Sequence, residues 1–242
     1  MMSHVLMRLS SFADYESLSY SNKNIKKIFD FFSDVELLPN IIPEISQNGM
    51  SSPRMQLKVS NFPIIITILT NRIDIDIFSN NQEGFNEEEK SNFNKEILKY
   101  MKSIVKCFSS EIQFANRLAW FVSYIYYEIS EEDRLNFKNK YLNKTEFFNE
   151  NETDDFNVRY CSRRISELIH EQFNIIMSIG RLSTISPPPQ NVLIDGYKID
   201  FDINTIHENK KNRFSEYDYD EFLKVVLKYQ EELEGEFINV YR

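Results

Sequence analysis

The residues best suited to chemistry are two Asp-x-Asp pairs, Asp74 with Asp76 and Asp200 with Asp202. Each pair lies in a segment where charged and apolar residues alternate, 72–77 and 198–203. On a strand, both carboxylates of a pair would lie on one face, about 7 Å apart. Such oxygens can hold a divalent cation, as in metal-dependent enzymes that act on nucleic acids or nucleotides.

The same alternation also describes an ordinary strand with one solvated face, and we favour that interpretation. Arg72 and Lys198 lie on the carboxylate faces, where they would neutralise part of the charge. His207 is the only histidine near either pair, so an obvious base is missing. We therefore predict that Asp74, Asp76, Asp200 and Asp202 bind no metal and that the chain uses no cofactor.

Two basic groups could bind anions. One is a row of lysines at steps of four, three and four: Lys95, Lys99, Lys102 and Lys106. The other is Arg159, Arg163 and Arg164; on a strand, Arg159 and Arg163 would share a face. Either group could contact phosphates, although a solvated helix face is the commoner explanation for the lysines. The net charge of -9 argues against non-specific nucleic-acid binding by the whole surface.

No other catalytic constellation is visible in the sequence. The three histidines are scattered, and the 5 glycines form no phosphate-binding loop of the GxGxxG or GxxxxGK[ST] type. The two cysteines have neither metal nor disulfide spacing, which fits a reducing cytoplasm. No apolar run is long enough to span a bilayer.

Two amphipathic helices are predicted, one after each Asp-x-Asp segment. Both show apolar residues at steps of four, three, four and four. The apolar residues are Phe93, Ile97, Tyr100, Ile104 and Phe108 in the first helix, and Phe222, Val226, Tyr229, Leu233 and Phe237 in the second. The shared spacing predicts an internal duplication of a strand-to-helix unit.

The predicted fold is α+β: an antiparallel sheet with helices on one face, built from two related strand-strand-strand-helix halves. Three consecutive strand segments with short connections, 54–60, 62–70 and 72–77, favour antiparallel pairing. The halves, 1–145 and 146–242, should pack as one domain.

Three local predictions accompany this fold. Pro39 and Pro43 should make residues 37–53 an extended connector, and residues 192–203 should form a hairpin. A central strand at 115–129 begins near Arg117, whose guanidinium should pair with Asp200 or Asp202.

Three short motifs carry a resemblance to a known family. They are Asn116-Arg117-Leu118-Ala119-Trp120-Phe121 opening a mid-chain strand, Asp200-Phe201-Asp202 in a late strand, and Phe237 in the closing helix. In this layout the chain resembles a sporadically distributed family of uncharacterised bacterial proteins. The patchy distribution of that family implies accessory or mobile-element genes, such as anti-phage defence operons.

The sequence favours a non-catalytic protein-binding subunit of a bacterial multi-protein accessory complex. Aromatic residues make up 14% of the chain, and protein interfaces are enriched in them. The expected partners are other protein subunits, with an ATPase or nuclease encoded nearby as candidates and a homodimer as another arrangement. The alternatives are a metal-dependent enzyme that uses the Asp-x-Asp pairs and a nucleic-acid-binding module that uses the basic groups.

Overall fold

The computed structural model describes residues 2–46, 48–79, 84–112, 114–127, 130–141, 156–185 and 193–238. Within these residues the chain forms nine strands and four α-helices. The strands are β1 (Met2–Phe12), β2 (Leu37–Ile45), β3 (Ser51–Val59), β4 (Ile64–Ile68), β5 (Arg72–Phe78), β6 (Arg117–Tyr127), β7 (Asn157–Ser166), β8 (Glu171–Ile185) and β9 (Leu193–Thr205). The helices are α1 (Asn22–Phe31), α2 (Glu87–Cys107), α3 (Glu131–Tyr141) and α4 (Asp218–Ile238).

All nine strands join one antiparallel sheet in the order β2-β3-β4-β5-β1-β6-β9-β8-β7. β1 and β6 lie side by side at its middle, and β2 and β7 are the outermost described strands. The structure therefore confirms the predicted α+β class with an antiparallel sheet. It also confirms a strand inside the sheet near 115–129.

One face of the sheet is apolar and carries the helices. In β5 the apolar side chains Ile73, Ile75 and Ile77 are fully buried on this face, where α2 packs. α4 covers the neighbouring region, where Trp120 Nε1 donates a hydrogen bond of 2.8 Å to Gln230 Oε1. The apolar stripes predicted for the two long helices thus contribute to the core, except that the side chain of Phe237 lies outside the described part of the chain.

Local signals fix the start of α2. The backbone N–H of Glu89 donates to Asn86 Oδ1, and the backbone N–H of Asn86 donates to Glu89 Oε2, each over 2.9 Å. These two bonds form a capping box, which satisfies donors that a helix start otherwise leaves unpaired.

The structure does not confirm the internal duplication, which stays a prediction. The predicted boundary at residues 145 and 146 falls in 142–155, outside the described residues. The predicted hairpin at 192–203 is wrong for residues 193–203, because they belong to the single strand β9. β9 runs straight through Gly196, which pairs with Tyr127 on one side and Leu182 on the other.

The prediction of a connector at 37–53 is also wrong, because residues 37–45 form β2 despite two prolines. Ser60 N donates to Glu36 O over 3.0 Å, so even-numbered residues of β2 hydrogen-bond with β3 and odd-numbered residues point their backbone groups outward. Pro39 and Pro43 are odd-numbered, so their missing N–H groups remove no hydrogen bond to β3. Edge strands tolerate proline at such positions.

Among the described helices, none is both long and apolar enough to cross a membrane.

Candidate functional site

The sheet face opposite the helices, here called the open face, is largely polar. Register places Asp76 opposite Arg8, Arg8 opposite Phe121, and Phe121 opposite Asp202, so these four side chains share one row across the open face. Both Asp-x-Asp pairs therefore lie on this face, with β1 and β6 between them. The prediction that each pair shares a face with its basic neighbour is correct for both.

The first pair is buried and fully engaged. Asp74 and Asp76 are only 2% and 4% exposed. Arg8 Nε lies 2.5 Å from Asp76 Oδ1, while Asp74 accepts a 2.6 Å hydrogen bond from Ser10 Oγ and lies 2.8 Å from Arg72 Nε. Burial raises the pKa of Asp76, and the hydrogen bond from Arg8 opposes that rise. These carboxylates are structural members of a buried polar network rather than a solvated stripe.

The second pair is half-buried and less completely engaged. Lys198 Nζ lies 2.8 Å from Asp200 Oδ2, and Asn204 Nδ2 donates a 2.8 Å hydrogen bond to Asp202 Oδ1. Asp200 Oδ1 has no hydrogen-bond partner among the described residues. The same motif thus meets two different environments in one sheet.

The two pairs do not converge on a common site. Asp76 and Asp202 are three strand spacings apart, about 14 Å, with Arg8 and Phe121 between them. In the described part of the chain, no group of three or more His, Cys, Asp or Glu residues is arranged to hold a metal ion. What the sheet offers is two separate carboxylate pairs, each beside its own cation.

Arg117 does not make its predicted ion pair. Asp202 stands opposite Phe121, four residues or about 13 Å farther along β6 than Arg117. Instead, the Arg117 guanidinium lies 4.6 Å from the centre of the Phe12 ring, and Arg72 lies 5.9 Å from the same ring. Burial lowers the pKa of Arg117, and the charge of Arg72 lowers it further, while Asp202 acts in the opposite direction.

The lysine row lies on the outer side of α2, where one acid of α4 and one of α2 itself lie beside it. Lys102 Nζ lies 2.6 Å from Asp220 Oδ2, and Lys99 Nζ lies 3.2 Å from Glu96 Oε2. Lys95 and Lys106 line the same shallow groove, about 470 Å³ in volume. Half of the row is therefore already paired with carboxylates.

The arginine group is divided between two faces. Arg159 and Arg163 lie on the open face, opposite Ser178 and Asn174. Arg164 lies on the helix face, where its Nη1 is 2.5 Å from Glu232 Oε2. Among the described residues, Arg159 forms no ion pair or side-chain hydrogen bond.

Arg163 also has a polar link along the open face. Its Nε donates a 3.1 Å hydrogen bond to Asn174 Oδ1, and its Nη2 lies 2.6 Å from Glu208 Oε1. Both side chains of the Arg163–Glu208 pair are about half exposed, so solvent screens the pair strongly.

The outer edge of β7 is the feature that sequence reasoning missed. Arg181 N donates to Phe156 O over 3.2 Å, which fixes the pairing pattern: even-numbered residues of β7 bond to β8 and odd-numbered residues point their backbone groups outward. The outward residues are Asn157, Arg159, Cys161, Arg163 and Ile165. None is proline, and no described strand pairs with this edge.

Exposed apolar side chains lie at one end of the same edge. Ile165 is 72% exposed and Leu168, in the turn to β8, is 56% exposed. They line a groove of about 550 Å³ that faces Lys224 and Lys228 of α4. The absence of proline between Asn157 and Ser166 was the one available signal for an open edge, but only the register shows which amides face outward.

A scan against protein-family models and a search of curated proteins both found no match to this chain.

Proposed function

We propose that this protein is a non-catalytic protein-binding subunit that accepts an extended segment of a partner as an added strand along β7. The observation that carries the proposal is the row of outward N–H and C=O groups on a ten-residue strand that is exposed along nearly its whole length. An unpaired row of this kind is a template for another strand. In strand addition, main-chain hydrogen bonds supply affinity and flanking side chains supply specificity.

The side chains beside the edge favour an acidic partner segment. Arg159 and Arg163 project from the open face at outward-pointing positions. A residue directly opposite on an added strand has its Cβ atom about 5 Å away, within reach of an ion pair. Arg159 pairs with no carboxylate in the described part of the chain, and the exposed pair between Arg163 and Glu208 costs little to exchange.

A second copy of the chain fits the edge less well. In the self-paired register that matches all five outward residues of β7, which is centred on Cys161, Arg159 of each copy faces Arg163 of the other. Like charges directly opposite each other destabilise an antiparallel pair. The charge pattern therefore favours a different, acidic protein over a homodimer.

The proposal also includes the cellular role of the protein. The resemblance to a sporadic bacterial family supports a cytoplasmic accessory complex, with anti-phage defence as its role and an ATPase or nuclease as the partner. The two alternative functions draw less support from the geometry. The Asp-x-Asp pairs are about 14 Å apart, and half of the lysine row is neutralised.

A peptide titration tests the proposal. The probe is a fluorescent peptide of about ten residues, the length of β7, in which Glu alternates with Val; the comparison peptide carries Lys in place of Glu. We expect the Glu peptide to bind in an anisotropy titration and to bind more weakly as salt rises. The Lys peptide should not bind.

A proline variant identifies the edge that the peptide uses. Cys161→Pro removes one outward N–H from β7 and should weaken peptide binding at least tenfold. Ile41→Pro is the matched control, because it removes one outward N–H from β2 and should leave binding unchanged. Equal binding by wild type and Cys161→Pro would contradict the proposal, as would a dimer that Cys161→Pro dissociates.

A further inference from the structure

Three residues at one end of the open face form a continuous cationic and aromatic surface, here called the Phe12 row. Phe12 of β1 stands directly opposite Arg72 of β5 and directly opposite Arg117 of β6. Both guanidinium groups lean over the ring, at 5.9 and 4.6 Å from its centre. The sheet thus holds two positive groups on either side of one aromatic side chain.

None of the described carboxylates on the open face forms an ion pair with Arg117. Arg8 is paired with Asp76, and Arg72 with Asp74. Arg117 makes no ion pair with any described residue, and its Nε is buried without a hydrogen-bond acceptor. A half-buried guanidinium beside a second one is unfavourable unless an anion joins them.

We propose that the Phe12 row binds an oxyanion, a carboxylate or phosphate group, between Arg117 and Arg72. Two strand spacings separate the two positions by about 10 Å, and both long side chains already bend toward Phe12. An oxyanion seated there accepts hydrogen bonds from both guanidinium groups. Arginine suits this task because its planar fork matches carboxylate and phosphate geometry.

This site is independent of strand addition at β7. Arg117 lies on β6, three strands from β7, or about 14 Å across the sheet. Either activity can therefore fail in an experiment without the other, and the two sets of variants do not overlap.

The site is tested with inorganic phosphate and with acetate, each compared with sodium chloride at equal ionic strength. The readout is the set of arginine Nε–Hε resonances in a ¹⁵N-resolved NMR spectrum. We expect a saturable shift of the Arg117 and Arg72 signals, while the Arg8 signal stays in place because Asp76 already holds it. A response to phosphate alone identifies a phosphate ligand, and a response to acetate alone identifies a carboxylate ligand.

Variants distinguish a specific anion site from non-specific attraction by the surface charge. Arg117→Gln should weaken binding at least tenfold, and Arg72→Lys should also weaken it, because it keeps the charge and loses the fork. Lys58→Gln is the matched control, since Lys58 is an exposed cation on the same face that neither proposal uses. The proposal would be overturned if phosphate and acetate shifted the resonances no more than chloride does, or if Arg117→Gln and Lys58→Gln lost binding equally.

A stability measurement gives a second readout that needs no NMR assignment. Arg117→Met removes the buried donor that has no acceptor, so the midpoint of thermal unfolding should rise in anion-free buffer. The increase in midpoint that phosphate or acetate causes in wild type should be absent in this variant. A lower midpoint with an unchanged anion response would contradict the site.

Discussion

The two outermost described strands have nearly the same length, but only one of them carries proline at outward backbone positions. β2 spans nine residues and β7 spans ten. In β2, Pro39 and Pro43 occupy two of the five outward positions, so Leu37, Ile41 and Ile45 supply its outward N–H groups. β7 has no proline at any outward position. Prolines therefore interrupt the outward N–H groups of one edge of the sheet and not those of the other, and this contrast supports the proposed interface at β7.

Side-chain anchoring follows the same trend across the sheet. At the β2 end, Glu44 Oε2 accepts a hydrogen bond of 2.7 Å from Arg54 Nε and one of 3.0 Å from Thr70 N. At the β7 end, Arg163 reaches Glu208 through an exposed pair. The Glu44 carboxylate is thus held by internal partners near β2, whereas the Arg163–Glu208 pair near β7 remains exchangeable with solvent.

The largest expected effect separates inward from outward amides of β7. Ser162→Pro removes a hydrogen bond to β8 at Ile175 and should lower the free energy of unfolding by about 3 kcal/mol. Cys161→Pro removes only an outward N–H and should cost less than about 1 kcal/mol. Urea unfolding measures both losses. Equal losses would mean that the assigned hydrogen-bonding pattern of β7 is wrong.

The two Asp-x-Asp pairs provide the next contrast. Asp76→Ala leaves Arg8 without its partner and should cost about 2 kcal/mol, a value reduced because the Arg8 side chain is 31% exposed. Asp200→Ala breaks an exposed pair with Lys198 and should cost less than about 1 kcal/mol. Thermal unfolding of the two variants checks the order. A larger loss in Asp200→Ala would reverse the structural assignment of the pairs.

The anchor of β2 should respond to pH. Burial favours a higher pKa for Glu44, but hydrogen bonds from Thr70 and Arg54 outweigh it, so the pKa of Glu44 lies below its usual value. A lowered pKa in the folded state stabilises the protein above the unfolded-state pKa of about 4.3. That stability disappears as the pH falls through the folded-state value.

Glu44→Gln measures this contribution. Wild type should exceed the variant by about 1 kcal/mol in unfolding free energy at neutral pH. The difference should shrink below about pH 4. A difference that does not change with pH would show that the loss comes from packing rather than charge.

The smallest effect concerns the blunted edge itself. Replacing Pro39 and Pro43 by Thr together restores two outward N–H groups on β2. We expect weak, concentration-dependent self-association of this variant in sedimentation velocity, because β2 also exposes Leu38 and Ile41. If the variant sediments like wild type at every concentration, proline is not what protects this edge.

Local periodicity was enough to predict much of the fold. The alternation in β5 and the apolar spacing in α2 and α4 depend on neighbouring residues only, so the sequence shows them directly. The placement of Arg72 and Lys198 beside their aspartates follows from the same alternation. These predictions needed no knowledge of strand order.

What the sequence could not supply was register. Whether Pro39 interrupts a ladder depends on which β2 residues face β3, and the partner of Arg117 depends on which residue lies opposite it on β1. Both are non-local facts. For the same reason, the exposed amides of β7 could not be distinguished from its bonded ones before the sheet was known.

Amide hydrogen exchange along β7 tests the central claim most directly. In the free protein, Arg159, Cys161 and Arg163 should exchange fast, while Tyr160, Ser162 and Arg164 exchange slowly, in strict alternation. A saturating acidic strand peptide should slow the three outward amides and leave Ile41 of β2 unchanged. Protection of the outward amides in the free protein, or no change on adding the peptide, would contradict strand addition at this edge.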